Sequence, residues 1–218
     1  MHPESPDFRL GTIRTHLVET ARVQRRTIDA CSQQILDAAD MIVAAFRDGG
    51  RLLLCGNGGS AADCQHLAAE FTSRLDADFA RPPLPAIALT TDTSFLTAYA
   101  NDFSFDGIFA RQIEAHAKPS DVLLAISTSG KSRNILRALE TAIRMELGTI
   151  LLTGNGIGDF EFSDSKPKAQ ITIRVPSRST QHIQETHLAI EHLLCHLVER
   201  ELFCNTTGPP REALVASG

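Results

Sequence analysis

Five short segments constrain this chain more than anything else in it: RLLLCGNG (51–58), PAIAL (85–89), DVLLAIS (121–127), GTILLTG (148–154) and ITIRVP (171–176). The first four read as continuous apolar runs and not as in-out alternations, and the fifth closes the series. A strand with one face in water alternates apolar and polar residues, whereas a strand covered on both faces need not. Segments with helical spacing separate the runs. Strand alternating with helix, with both faces of the strand buried, is the pattern of an α/β domain built on a parallel sheet.

The helical segments are legible from their spacing. From Ile13 to Phe46, apolar residues at Ile28, Cys31, Ile35, Ala38, Ala39, Ile42, Val43 and Phe46 recur at steps of about three to four, and Gly49 and Gly50 end the pattern. Further helices are predicted from Ser60, a candidate N-cap, to Arg74, from Phe105 to Ala117, from Arg133 to Met145 and from Gln181 to Phe203. TTDTS after the second strand reads as a polar turn, and GNGIG (154–158) as a loop. The expected organisation is an N-terminal helical extension over 1–48, one α/β domain over 49–204 and a flexible tail over 205–218. The extension precedes every strand, so it is a candidate oligomer contact.

Charge and composition exclude several classes. The net charge of −5 gives no basic surface for nucleic acid or bilayers. The N-terminus, MHPESPDFRLG, lacks the apolar core of a secretory signal, and no apolar run reaches the length of a membrane span. The expected location is the cytoplasm. The five cysteines include no CxxC pair, which reads as buried thiols in a reducing compartment.

In an open parallel sheet, ligands collect at the carboxyl ends of the strands. At the first such end, Gly56, Gly58 and Ala61 match a dinucleotide fingerprint in form, but no acidic residue closes the second strand at the distance a ribose would need. At the third strand, Gly130-Lys131-Ser132 suggests a nucleotide-binding P-loop, yet Ala125 stands where that pattern requires glycine. What STSGKS does supply is Ser127, Thr128, Ser129 and Ser132 around a glycine at a helix start. Those hydroxyls and the outward N–H groups suit a phosphate monoester.

Two helices carry titratable groups in register. His66 and Glu70 stand at i and i+4 on the helix opened by the first glycine turn, so their side chains share a face. The last helix holds His182, His187, His192 and His196, and spacing alone would pair His192 with His196. Spacing does not choose among them.

GNGGSAAD (56–63), HLAAEF (66–71), AND-F (100–103), STSGKS (127–132) and QETH with a later histidine (184–192) together resemble the sugar isomerase (SIS) domain family, and within it the phosphoheptose isomerases. The resemblance runs from about Thr27 to Leu202 and leaves the tail outside. It implies a flavodoxin-like, doubly wound five-stranded fold and a homotetramer with active sites between subunits. It also implies conversion of sedoheptulose 7-phosphate to D-glycero-D-manno-heptose 7-phosphate through a cis-enediol, the first step toward nucleotide-activated heptoses. Carried onto this sequence, the catalytic pair is Glu70 and His192, and one zinc per subunit is held by His66, Glu70, Gln184 and His192. The phosphate falls to Ser127, Thr128, Ser129 and Ser132, and the sugar to Asn57, Gly58, Gly59, Ser60, Arg74, Thr91, Asp92, Asp102 and Gln184.

Gln184 and His192 stand about 12 Å apart in helical rise, so both reach one ion only through a bend, steep convergence or a second subunit. The rival reading is a non-catalytic tetrameric adaptor that binds the bacterial replication initiator. Such relatives are expected to lack the acid/base pair, and Glu70 and His192 are both present here.

Overall fold

The computed structural model describes residues 7–155 and 168–204; positions 156–158 of the GNGIG segment and the tail over 205–218 lie outside the described residues. The chain opens with α1 (Phe8–Arg47) and continues through β1 (Leu52–Gly56), α2 (Gly59–Thr72) and β2 (Ala86–Ala88). It proceeds through α3 (Thr93–Asp102), a 3₁₀ turn (Phe105–Gly107), α4 (Ile108–His116) and β3 (Val122–Ser127). Then come α5 (Arg133–Arg144), β4 (Gly148–Gly154), β5 (Ile171–Val175) and α6 (Thr180–Phe203). The five strands form one parallel sheet in the order β2-β1-β3-β4-β5, the flavodoxin-like doubly wound arrangement.

The unbroken apolar runs have a direct cause in this sheet. Successive residues of a strand point to opposite faces, and both faces are roofed by helices. Leu52, Leu54, Leu124, Ile126 and Leu152 pack with α1, α2 and α6 on one side, among Ile42, Leu67, Phe71, Ile190 and Leu194. Leu53, Cys55, Leu123, Ala125 and Leu151 pack with α4 and α5 on the other, among Phe109, Ile113, Ile135 and Leu139. Register keeps like with like: Ala88, Leu54, Leu124, Ile150 and Ile171 form one row across the strands. Each fully buried leucine in these rows contributes about 1.5–3 kcal/mol.

At the amino ends of the strands, buried Asp121 accepts from the Arg51 and Lys118 backbone N–H groups at 2.9 and 3.0 Å and pairs with the Arg51 guanidinium at 2.9 Å. That knot closes the edge of the sheet opposite the glycine turns.

Two expectations need correction. The polar turn at TTDTS is shorter than expected, because Asp92 caps a helix: its carboxylate accepts from the Phe95 N–H at 2.9 Å and α3 follows. The apolar residues Phe95, Leu96 and Tyr99 carry the helical spacing there. The cap expected at Ser60 falls instead to Gly58, whose φ of +56° suits glycine, and Ser60 lies buried inside the first turn of α2. No side-chain cap bond is made at that terminus. Of the cysteines, Cys31, Cys55, Cys64 and Cys195 are buried and Cys204 is exposed. Among the described residues, no helix is long and apolar enough to cross a membrane.

α1 changes character along its length. Its buried residues begin at Val23 and continue to Ala45, whereas Phe8, Leu10, Ile13 and Leu17 are exposed. The helix therefore joins the core through its second half and extends beyond it through its first.

Candidate active site

The strand order reverses at β1: the chain moves outward to β2, then returns to place β3 on β1's other side. The carboxyl ends of β1 and β3 flank the crevice that such a reversal leaves, which is where open α/β sheets bind ligands. GNGGS follows β1 and STSGKS follows β3, so the two glycine turns face each other across it. They are tied together. Asn57 Nδ2 donates to Asn134 Oδ1 at 2.9 Å, and Asn134 Nδ2 donates back to Asn57 Oδ1 at 2.8 Å. Asn134 is buried and also accepts from the Ile135 N–H at 3.0 Å, which anchors the pair to the first turn of α5.

The hydroxyl turn is preorganised by its own bonds. Gly130 N–H donates to Ser127 Oγ at 3.2 Å and Lys131 N–H to Ser129 Oγ at 3.2 Å, while the Ser127 and Ser132 hydroxyls lie 3.4 Å apart. Ser132 is the N-cap of α5 yet makes no side-chain cap bond, so its hydroxyl is not used by the helix. A helix start with its hydroxyls turned to one another is a ready anion site.

On the first turn's helix, α2 runs beside α6 in the same sense. A Cβ on Gly59 would collide with the Gln184 amide, and one level down His66 Nε2 stands 2.9 Å from His192 Nε2. Glu70 Oε1 is 3.8 Å from His66 Nε2, with its side chain largely covered. The structure thus gathers His66, Glu70 and His192, two imidazole nitrogens and a carboxylate, a donor set that fits a zinc-class ion. Gln184 stands apart, at the level of Gly59, about 10 Å of helix rise from His66. His196 is exposed, so the His192–His196 pairing suggested by spacing does not converge on this group.

The remaining expected residues scatter. Thr91 hydrogen-bonds the Ala88 carbonyl at 3.2 Å and Asp92 caps α3, both just beyond β2. Asp102 ends α3 and accepts from Asn101 at 2.8 Å. Arg74 follows the far end of α2 and bonds the Ala77 carbonyl at 3.2 Å. It lies roughly 20 Å of helix from the turn that opens α2.

Sequence reading missed the residues that support the group. Arg81 is buried and pairs with buried Glu199 at 2.7 Å, while its other nitrogens donate to the Glu70 and Phe71 carbonyls, each at 2.8 Å. It so fixes the turn of α2 that carries Glu70. Beside the two histidines, Asp63 and Glu191 face one another from α2 and α6. Burial, then the Asp63 charge, pushes the Glu191 carboxyl up to about 8. Burial also raises Asp63, with His66 acting against it. Burial drives His187 down to about 4, so that imidazole is neutral in the folded protein. The apolar company of Ile183, Ile190 and Leu194 on the same helix was the available signal that 187 and 191 face inward.

A family model described as the SIS domain matches residues 16–154. A phosphoheptose isomerase of Rhodospirillum rubrum is 51% identical over 173 residues, which cover 79% of this chain and 88% of that protein. One from a Roseiflexus species is 46% identical over 181 residues, 83% of this chain and 88% of that protein. Among solved structures, a phosphoheptose isomerase from Francisella tularensis matches with a TM-score of 0.79 at 37% identity, covering 88% of this chain and 98% of that one.

Proposed function

This chain belongs to the SIS domain family, and from that premise we propose that it is a phosphoheptose isomerase, converting sedoheptulose 7-phosphate to D-glycero-D-manno-heptose 7-phosphate. The observation that carries the reading is the Asn57–Asn134 tie. It holds a hydroxyl-rich anion turn against the glycine turn whose helix bears a His–His–Glu group. In this reading Ser127, Thr128, Ser129 and Ser132 bind the phosphate. Asn57, Gly58, Gly59, Ser60, Thr91, Asp92, Asp102, Arg74 and Gln184 contact or organise the sugar chain.

Ketose-to-aldose isomerisation removes a proton from C1, passes through a cis-enediol and returns a proton to C2. Glu70 serves as the base and His192 as the acid that attends the sugar oxygens, a pairing worth about 10²–10⁴ in rate. Arg81 acts through the backbone of Glu70 and keeps the carboxylate on its turn. His66, Glu70, Gln184 and His192 would hold one zinc per subunit, which when bound supplies Lewis-acid polarisation of the C1 and C2 oxygens.

We further propose a homotetramer in which neighbouring subunits complete each site. The separation of Gln184 from His192 along α6, and of Arg74 from the glycine turn, supports this, because one chain does not present all of these groups at one point. The exposed apolar residues Phe8, Ile13, Leu17, Ile28 and Leu36 of α1 supply surface for such contacts. The proposed setting is cytoplasmic heptose synthesis, with the product feeding lipopolysaccharide cores or related glycans. No observation favours the adaptor reading.

The deciding experiment is NMR of the purified protein with sedoheptulose 7-phosphate, with and without a chelator. Aldoheptose 7-phosphate signals are expected, weakened by chelation. No conversion even with added zinc would sink the isomerase reading.

A further inference from the structure

Apart from the His66–Glu70–His192 group, α1 and the opening turns of α6 bring together a second donor set. His16 Nε2 lies 2.6 Å from Glu185 Oε1, and His182 Nδ1 lies 3.4 Å from Glu185 Oε2. Ligand atoms of His16, His182 and Glu185 all fall within 4.8 Å of one another, and among the described residues this is the one group of three His, Cys, Asp or Glu donors that does so. The two imidazoles approach with ring centroids 4.6 Å apart, tilted by 44°. We propose that these three residues form a divalent-cation site of the zinc class that pins the first half of α1 to α6.

Helix geometry explains the convergence. His182 and Glu185 stand at i and i+3 on the opening turns of α6, and His16 and Thr20 at i and i+4 on α1, so each pair occupies one face. The Thr20 hydroxyl lies 3.0 Å from His182 Nδ1 and 2.5 Å from Glu185 Oε2, so it contacts two of the three donor residues and would yield its place at Nδ1 to a ligated ion. Glu185 precedes His192 by seven residues, about 10 Å of helix rise, so the two donor sets occupy different levels of α6.

The donor chemistry selects the ion. Calcium and magnesium prefer oxygen-only shells, whereas two imidazoles with one carboxylate suit zinc, cobalt or nickel. Tetrahedral ligands at about 2.0–2.2 Å from zinc stand roughly 3.3 Å apart, so the donors need shifts under about 1 Å to close on an ion. His16 and His182 also line a cavity of about 800 Å³, together with Thr12 and Phe8. That leaves room for water as the last ligand.

The site also stands where the fold needs an anchor. The buried residues of α1 begin only at Val23, so its first turns have no apolar hold on the body. The partly exposed hydrogen bonds there hold the two helices only weakly. A bound ion would hold both helices through direct ligation.

Cobalt(II) is the probe, because its visible absorption reports tetrahedral coordination. The double variant His66→Ala/His192→Ala, which removes both imidazoles of the other donor set, is dialysed to equilibrium against cobalt and its metal content measured. About one cobalt per chain is expected, lost when His16→Ala is added. Amide hydrogen exchange over residues 8–22 should slow by about tenfold or more on metal addition in the double variant only while His16 is present. If the double variant does not fold, the wild type and the single variant His16→Ala are compared, and the single variant should bind about one equivalent less. A double variant that takes up no cobalt, or His16→Ala that leaves uptake and exchange unchanged, overturns the site. Neither readout depends on sugar turnover, so its failure is separable from failure of the isomerase reading.

Discussion

His66 Nε2 and His192 Nε2 stand 2.9 Å apart across the seam between α2 and α6, although 126 positions separate them in sequence. That contact puts α2 and α6 in register and places Glu70 on the same surface, 3.8 Å from His66. Replacing His192 removes the acid partner and one metal donor while leaving the core untouched, since the ring is not among the fully buried side chains. His192→Ala should therefore lower kcat by about 10²–10⁴ with little change in Tm. Steady-state kinetics and thermal melting on the same preparation check it, and normal turnover would remove His192 from the chemistry.

Asn134 makes no proposed contact with the substrate and acts only through Asn57. Asn134→Ala deletes both amide bonds and leaves the Asn57 side chain without its partner, at a cost of about 1–3 kcal/mol. The two glycine turns are then free to separate. The expected signature is a raised KM for the sugar phosphate together with lower stability in urea. An unchanged KM would mean that the turns hold their spacing without the tie.

Arg81 and Glu199 form an ion pair with both side chains fully covered. Removing one member strands the other charge in the core, so Arg81→Leu should destabilise the protein by about 3–5 kcal/mol. The same guanidinium bonds the Glu70 carbonyl at 2.8 Å. Kinetics below the melting range should consequently show a loss in kcat as well. Chemical denaturation separates the two effects, and a loss of stability with kcat intact would confine Arg81 to the core.

Stability should depend on pH through two buried groups of opposite sign. Glu191 is raised from its ordinary 4.5 to about 8 by burial and then by Asp63, so between those values the folded chain holds a proton that the unfolded chain has released. Its contribution is complete below about 4.5 and is lost as pH rises through about 8. His187 is lowered from 6.5 to about 4 by burial, so across that interval the unfolded chain binds the extra proton, and stability is lost as pH falls through it. The two oppose each other in the acid range, and Glu191 alone acts above about 6.5. Wild-type stability should fall by about 1–2 kcal/mol from pH 6.5 to 8, and Glu191→Gln should flatten that slope. Urea midpoints across this range test it, and an unchanged slope in the variant would place the proton elsewhere.

Much of this protein is decided by local pattern. Four apolar runs, the ITIRV segment and the helical spacing among them are enough for a doubly wound parallel sheet, because strand and helix periods depend only on neighbouring residues and on which faces are covered. Turn chemistry was equally local: Gly58 and STSGKS can be read as tight turns and helix starts without knowing what lies opposite. Even α3, hidden by the polar TTDTS, carried its spacing in Phe95, Leu96 and Tyr99. Tertiary structure decided everything that depends on two helices meeting. Four histidines on one helix look alike in sequence, and only the packing of α6 between α1 and α2 sends His182 toward His16, His192 toward His66, and His187 into the core. The partners of Asn57 and Arg81 lie 77 and 118 residues away, at separations where spacing carries no information. A side chain's chemistry follows from its burial and its neighbours, and both are properties of the folded chain as a whole.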